Sequence, residues 1–168
     1  MLTAQTQKSL SIFARNVKKD SIVNLKDKST SEKLKDSIDY DLRVHKQSFS
    51  LDFEMEDYGE YQDKGVSGTE KKYNTPFSYR DKKPPISAFD KWSVKKGLAP
   101  RDAGGKFQSR ESLKYALSNH IFTQGIKPSL FFTKAFEKHF RKLPDEVIEA
   151  YGLDMEKFLI TTLKNDTN

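Results

Sequence analysis

Residues 38–56 read IDYDLRVHKQSFSLDFEME, and this stretch decides the fold. Apolar side chains occupy every second position from Ile38 to Val44, and the same alternation resumes from Phe49 to Met55. A period of two is typical of a strand with one apolar face. Because only a short polar stretch separates the two runs, the pattern predicts an antiparallel hairpin.

Helical signals flank this hairpin on both sides. Residues 29–31 (STS) can each cap a helix, and Leu34 and Ile38 lie four positions apart on one helical face. After the hairpin, two tyrosines and two glycines within residues 57–66 predict a short helical turn that ends at Gly65.

The hairpin needs cover, because an isolated two-stranded ribbon is marginal in water. Residues 1–28 carry apolar and small side chains at helical spacing, with basic residues on the opposite side. The buried positions of this helix are predicted at Leu10, Phe13, Ala14, Val17 and Ser21. We expect it to lie across the hairpin, and its outer face is a possible subunit contact.

Residues 67–85 (SGTEKKYNTPFSYRDKKPP) have the composition of an arm. The segment is longer than the usual ~4–6 residues of a connection and is rich in charge. Its large apolar groups are Tyr73, Phe77 and Tyr79, which suit a groove on a partner. We therefore expect the arm to contact another subunit or a neighbouring ring rather than to fold back on its own domain.

The remainder, residues 86–164, is predicted to be helical. Pro84-Pro85 opens one helix, which runs to Gly97 with Ile86, Phe89, Trp92 and Val94 on its buried side. Ser109 caps the next helix, which ends at Gly125 and has an apolar stripe of Leu113, Ala116, Leu117, His120 and Ile121. An apolar cluster at 130–132 precedes helical spacing from Thr133, and Pro144 starts a further helical segment.

Composition limits the size of the core. The 168 residues fit one domain, 1–168, that divides into the N-terminal helix (1–28), the helix end with the hairpin (29–66), the arm and the helical part. Apolar residues make up 35% and charged residues 32%, against a usual ~45–50% and ~25%, so the core should be small. The expected fold class is α+β, with a small antiparallel sheet packed against several helices.

Targeting and redox signals are few. The mean hydropathy is −0.78, and no apolar run approaches the ~20 residues of a membrane helix. The N-terminal residues lack a signal-peptide pattern, so we expect a soluble protein that is not secreted by that route and does not contact a membrane. The absence of cysteine excludes disulfides and thiolate metal sites.

Net charge leaves a nucleic-acid partner open. The charge of +6 permits contact with DNA or an acidic protein, but it arises from 30 basic and 24 acidic residues spread along the chain. Basic residues alternate with aromatic ones at 72–73, 77–80 and 106–107, which could stack on single-stranded nucleic acid. The same aromatics could instead anchor an arm in a protein groove, and we favour this second interpretation.

Candidate catalytic chemistry is weak. The carboxylates of Asp52, Glu54, Glu56 and Asp57 could bind Mg²⁺ in a nuclease, but three of them fall on the polar face of a strand that must face water anyway. The three histidines lie alone in separate elements, and no serine stands on a Gly-rich elbow. We expect no enzymatic activity, no metal and no cofactor.

Two short motifs in the first half of the chain carry a resemblance to a known family. Leu34-x-x-Ser37-Ile38 is similar to a Leu-x-x-Ser-Ile pattern before the first strand of that family. Residues 58–65 (YGEYQDKG) resemble its Tyr-Ala-x-x-Val-Glu-x-Gly signature, with glycine for alanine, glutamine for valine and aspartate for glutamate. In their order, these motifs resemble the neck or tail-completion family of tailed phages, the minor head-to-tail joining proteins.

Two later stretches extend the resemblance to roughly residues 30–140. Residues 83–97 are similar to the family's Pro-Pro, Trp-Val-x-x-Lys-Gly helix, here with Trp92 followed by serine. Residues 117–136 resemble its Ile-x-x-x-Gly-x-x-Pro-x-Pro-Phe-x-x-Pro-Ala-Phe ending. Lys134 stands where proline is common, which lets the helix begin earlier.

The resemblance implies a non-enzymatic virion protein of α+β fold. It would form a homo-oligomeric ring in the neck, between the portal or its adaptor and the tail proteins, with possible non-specific contact with DNA, and would be assembled in the host cytoplasm. The residues expected at assembly contacts are Tyr58, Tyr61, Asp63, Gly65, Tyr73, Phe77, Tyr79, Trp92, Phe131 and Phe132.

Overall fold

A computed structural model describes residues 4–25, 32–44, 48–90, 93, 97, 101, 104–107, 109–150, 152–153 and 156. Its elements are, in chain order, α1 (Ala4–Leu25), α2 (Glu32–Ser37), β1 (Asp39–Val44), β2 (Phe49–Glu54), α3 (Tyr58–Lys64), a 3₁₀ turn (Ile86–Phe89), α4 (Arg110–Gln124) and α5 (Phe131–Phe140). Residues 143–150 are helical as well. The long N-terminal helix and the two-stranded antiparallel sheet confirm the predicted α+β class.

The chain forms two compact units. The first combines Met1–Glu56 with Phe131–Asn168, and the second is Asp57–Leu130. The expectation of a single domain over 1–168 stays a prediction. The two units are described one at a time below.

In the first unit, the hairpin has the register that the alternating pattern predicts. Tyr40 pairs with Phe53, and Leu42 pairs with Leu51, so the apolar side chains share one face of the sheet. On the other face, Asp41 lies opposite Asp52.

Helix α1 covers the apolar face of the hairpin, as expected. All five positions predicted for its inner side are buried. Phe13 makes edge-to-face ring contacts with Phe53 and with Phe136 of α5, at centroid distances of 6.3 and 5.6 Å. Phe13 and Val17 also pack with Ala135, so α1, α5 and the sheet share one apolar cluster.

A second cluster joins α2 to the start of α5. Leu25, Leu34, Ile38 and Phe131 are completely buried and pack together. The predicted helix start at Thr133 is therefore two residues late. Helix α5 begins at Phe131 because residues 131 and 135 already follow the i, i+4 spacing that buries one helical face.

In the second unit, the predicted helix ends are confirmed. Helix α3 ends at Gly65, whose φ of 74° lies in the left-handed region. The Ser109 hydroxyl caps α4 by accepting a hydrogen bond from the Ser112 amide at 3.1 Å. Helix α4 ends at Gly125, as the sequence predicted.

The inner face of α4 differs from the prediction. Ala116 and His120 were expected to be inside but are exposed. The inner face is instead centred on Ser118, which is buried because its hydroxyl donates to the Pro84 carbonyl at 2.6 Å. A polar residue thus sets the rotation of this helix, which an apolar stripe alone does not reveal.

The arm expectation is wrong in one respect, because residues 67–85 fold back on their own unit. The amides of Thr69 and Glu70 donate to the carbonyls of Phe122 and Thr123 at the end of α4, at 2.9 and 3.0 Å. Ring contact between Tyr79 and Phe122 adds to these bonds. Contact of the arm with a partner stays a prediction.

The helix predicted from Pro84 to Gly97 is described only in part. Its first turn is 3₁₀, over Ile86–Phe89, and Phe89 is buried as expected. Trp92 and Val94 lie outside the described residues.

Candidate functional site

The second unit has a groove with a volume of about 620 Å³. Most of its wall is apolar or aromatic, which is typical of sites that bind small molecules or peptide side chains. We call it the aromatic groove. Its lining residues are Tyr58, Tyr61, Val66, Pro76, Phe77, Ser78, Tyr79, Arg80 and Ile126.

Backbone hydrogen bonds hold the walls of the groove together. Val66 and Ile126 exchange two of them, at 2.9 and 2.7 Å, and so join the end of α3 to the chain after α4. The Ser67 amide donates to the Phe77 carbonyl at 2.8 Å, and the Tyr79 amide donates to the Ser67 carbonyl at 2.9 Å. Phe77 and Tyr79 are therefore fixed against the same short stretch, 66–67.

The Ser67 side chain strengthens this junction. Its hydroxyl accepts a hydrogen bond from the Tyr73 amide at 2.9 Å and lies 3.3 Å from the Tyr73 carbonyl, to which it donates. Ser67 is buried, so both bonds are shielded from water. The backbone and side chain of Ser67 thus hold both the middle and the end of the loop from 67 to 79.

Glycine permits the close approach of these segments. A Cβ on Gly125 would collide with the Val66 carbonyl, and a Cβ on Gly68 would collide with the Thr123 carbonyl. Both obstacles are backbone atoms, which cannot rotate away. Gly125 also has a φ of 73°, a conformation that disfavours any residue with a Cβ.

Helix α3, which carries two groove tyrosines, is fixed at its C-terminal end. The Ser129 amide and hydroxyl both reach the Gln62 carbonyl, at 3.1 and 2.7 Å, and the Leu130 amide donates to the Asp63 carbonyl at 3.0 Å. Carbonyls at the end of a helix otherwise lack partners within it. This contact therefore orients Tyr58 and Tyr61.

The aromatic side chains leave part of their surface in solvent. The rings of Tyr61 and Phe77 are 4.6 Å apart, yet Tyr61 is 46% exposed and Tyr58 is 38% exposed. Partial burial raises the pKa of the Tyr79 phenol, so this hydroxyl is neutral at physiological pH. Exposed aromatic surface on a fixed backbone favours contact with another molecule.

Arg80 is the charged residue among those that line the groove. Within the described part of the chain it forms no ion pair, and its side chain is exposed. Tyrosine and arginine are enriched in the residues that dominate protein interfaces. The groove thus combines aromatic side chains with one exposed positive charge.

The structure brings four of the predicted contact residues together in the groove: Tyr58, Tyr61, Phe77 and Tyr79. Tyr73 lies beside it, where its backbone pairs with Ser67. The groove residues that the contact prediction missed are Val66, Pro76, Ser78, Arg80 and Ile126. The glycines at 65 and 68, together with Gly125 after α4, were the available signal that these segments meet.

The other predicted contact residues have different surroundings. Asp63 and Gly65 are buried in the second unit, and Phe131 is completely buried in the first. Phe132 packs against both apolar clusters of that unit. Because Phe131 serves the core, it is not a surface contact. Trp92 lies outside the described residues.

The carboxylates at 52–57 were the candidate ligands for a metal ion. Across the described ranges, no group of three or more histidine, aspartate or glutamate side chains is arranged to hold a metal ion. Glu56 instead pairs with Lys33 at 2.9 Å. None of the described helices is long and apolar enough to cross a membrane.

Comparison of the chain with protein-family models, with curated proteins and with solved structures finds no match.

Proposed function

We propose that this is a structural virion protein of a tailed phage, part of the neck ring that joins the portal or its adaptor to the tail. The order of sequence motifs supports the family, and the aromatic groove is the structural observation that supports an assembly role. Its walls are fixed by backbone bonds and glycine packing, so binding would need little reordering of the chain. The protein acts through contacts and needs no catalytic residue.

The hairpin is a second surface suited to assembly. Its sheet has two strands in the described part of the chain, so each strand has one edge that pairs with no other strand there. Open edges are places where another chain can add backbone hydrogen bonds. In a closed ring of identical subunits, every such surface contacts a neighbouring subunit.

The proposal is tested by measuring the mass of the purified protein and by looking for the protein in particles. We expect concentration-dependent oligomers that have a defined upper size, and we expect the protein in the neck of the virion. Tyr61→Ser should reduce assembly, whereas Tyr115→Ser, which changes an even more exposed tyrosine on α4, should not. A strict monomer that is absent from particles would rule the proposal out.

A basic nucleic-acid-binding module is the second candidate, and one surface of the first unit favours it. Lys134, Lys138, Arg141 and Lys142 border a shallow groove of about 430 Å³, with Glu137 the acidic residue there. However, Lys138 already pairs with Asp20 at 2.7 Å, which reduces the charge available for phosphates.

A salt titration separates the two candidates. Contacts with several phosphates make the affinity for DNA fall steeply as salt rises. Tight binding with a steep salt dependence, lost in Lys134→Glu or Arg80→Glu, would favour the DNA-binding candidate. Cleavage of DNA in Mg²⁺ that Asp52→Ala abolishes would point to the nuclease alternative.

A further inference from the structure

The helical residues 143–150 present an apolar side chain to solvent. Ala150 is buried and Val147 is half-buried, which defines the inner side of this helix. Ile148 is 70% exposed, the highest value among the exposed large apolar residues of the described chain. Most of this aliphatic side chain is in contact with water, so its burial against another surface is favourable.

One acidic residue shares the exposed face of Ile148. Asp145 lies three positions earlier on the helix and therefore on nearly the same face. Asp145, Glu146 and Glu149 are exposed and form no ion pair with the described residues. We call this surface, Asp145 with Ile148, the acidic knob.

The acidic knob and the aromatic groove are complementary in polarity and charge. The groove is concave and aromatic and carries Arg80 without an ion-pair partner among the described residues, while the knob presents an exposed aliphatic side chain beside Asp145. A guanidinium and a carboxylate form strong charge-assisted hydrogen bonds. About 620 Å³ is enough space for one large side chain and its neighbours.

We propose that the aromatic groove of one copy binds the acidic knob of a second copy, with Ile148 against Tyr61 and Phe77 and with Asp145 paired to Arg80. The two surfaces come from different parts of the chain, so the contact is heterologous. Such a contact repeats from copy to copy and closes into a ring when the rotation allows it. The inference rests on the proposed ring function and names the contact that builds the ring.

A nucleic acid is a poorer occupant of this groove. Binding of single strands usually combines stacked bases with a positively charged path for the phosphates. Arg80 is a single charge, and the nearest aromatic pair, Tyr61 and Phe77, is already in mutual contact at 4.6 Å. The wall is mainly apolar and carries one cation, which matches an aliphatic side chain beside one carboxylate.

The natural absence of cysteine allows a direct test. Ser78→Cys places a thiol on the groove wall, and Ile148→Cys places one on the knob. Mixing these two full-length variants under mild oxidation should give a disulfide-linked dimer. A mixture of Ser78→Cys with Val23→Cys, an exposed apolar position on α1, is the control and should stay largely uncrosslinked.

A variant with both cysteines tests the direction of the contact. It should form a ladder of linked copies that ends at the size of the closed ring. A disulfide that closes within one chain, with no ladder, would overturn the proposal. Equal crosslinking in the Val23→Cys control would also overturn it, because the reaction would then report collisions.

Charge reversal tests the ion pair. Arg80→Glu and Asp145→Arg should each weaken self-association about fivefold or more, and the double variant should recover most of the loss. Arg110→Glu, an exposed arginine of the same unit, should change little. If Arg80→Glu weakens DNA binding and leaves self-association unchanged, the groove serves nucleic-acid binding and the proposed contact is wrong.

The outcomes separate this contact from the function it serves. Rings that persist in Ile148→Ser and in Arg80→Glu would overturn the groove and knob contact while leaving the neck function intact. A chain that never self-associates and is missing from particles would overturn both.

Discussion

At the scale of single residues, two buried helical serines are in opposite situations. The Ser21 hydroxyl is completely buried and, within the described residues, has no hydrogen-bond partner, whereas the Ser118 hydroxyl donates to Pro84. A buried polar group without a partner costs about 1–3 kcal/mol. Ser21→Ala should therefore raise the free energy of unfolding by about 1 kcal/mol.

Ser118→Ala is the matched control and should lower the free energy of unfolding by about 1 kcal/mol, because it leaves the Pro84 carbonyl without its donor. Denaturant midpoints of both variants measure the difference. A loss of stability in Ser21→Ala would contradict the conclusion that the Ser21 hydroxyl is buried without a hydrogen-bond partner among the described residues.

A comparison of Gly125 with Gly105 distinguishes two reasons for a glycine, close packing and backbone conformation. Both have positive φ, 73° and 81°, but a Cβ on Gly125 would strike the Val66 carbonyl while one on Gly105 would meet open space. Gly105→Ala should lose about 1 kcal/mol through its backbone conformation alone. Gly125→Ala should reduce the free energy of unfolding by clearly more than this. Thermal or denaturant unfolding measures both variants. Equal reductions would show that the backbone near Val66 shifts at little cost.

At the scale of elements, an ion cluster joins α1 to α5. Lys138 and His139 both reach one carboxylate oxygen of Asp20, at 2.7 and 2.9 Å. The hydrogen bond from Lys138, and after it that from His139, lowers the pKa of Asp20 below its ordinary 3.8, although partial burial opposes the shift. Because the folded-state pKa is depressed, the stability gained is present above about pH 4 and is lost as the pH falls further.

Asp20→Asn should thus cost about 0.5–1 kcal/mol at pH 7. The difference from the wild type should shrink as the pH falls below 3.8, because protonation then removes the same charge. Glu137→Gln, an exposed carboxylate of α5 without an ion pair among the described residues, is the control. A difference that is constant down to pH 2 would contradict the role of the charge.

The outer face of the hairpin carries like charges in register. Asp41 lies directly opposite Asp52, whereas Ser50 lies opposite Arg43. Opposite charges across a strand pair stabilise by roughly 0.2–1 kcal/mol and like charges destabilise. Asp52→Lys should therefore raise the melting temperature at low salt, and Ser50→Lys should lower it. The sign of both effects should persist, with smaller size, at 1 M salt.

The hairpin and α1 were predictable because side-chain period determines them. Alternation from Ile38 to Met55 leaves one register that buries the apolar residues, since a slip by one residue would turn all of them outward. The spacing of Leu10, Phe13 and Val17 likewise determines which face of α1 is inside. Each signal is local and repeated, so several positions agree.

The path of the arm was not predictable in this way. Its bonds to Phe122 and Thr123 use backbone amides, which every residue possesses and which leave no pattern in side-chain type. Tyr58, Tyr61, Phe77 and Tyr79 were recognised as anchors. Their meeting in one groove depends on close packing of Gly65 and Gly68 against the chain around Gly125, which lies far away in sequence. The inner face of α4 was predicted wrongly because a polar residue, Ser118, lies at its centre.

At the scale of the whole molecule, the second unit carries its own closing contacts. Its first helix is held by Ser129 and its arm by the end of α4, all within 57–130. We expect a fragment of residues 57–130 to keep slow amide exchange at Ser67 and Tyr79, as in the full chain. A matched fragment of residues 1–56, which lacks α5 and its apolar cluster, should exchange fast throughout.

Loss of protection at Ser67 in the 57–130 fragment would show that the groove depends on the first unit. Protection that appears there only on assembly would restore the idea of an arm ordered by its partner.

The discontinuity of the first unit has a consequence during synthesis on the ribosome. Phe13 and Val17 of α1 are made early, but Ala135, which completes their cluster, emerges more than a hundred residues later. The second unit, residues 57–130, is continuous in sequence, so it can fold in the meantime. Throughout that interval, the part of this cluster that α5 later covers stays exposed to solvent, so chaperones have their longest access to the nascent N-terminal half.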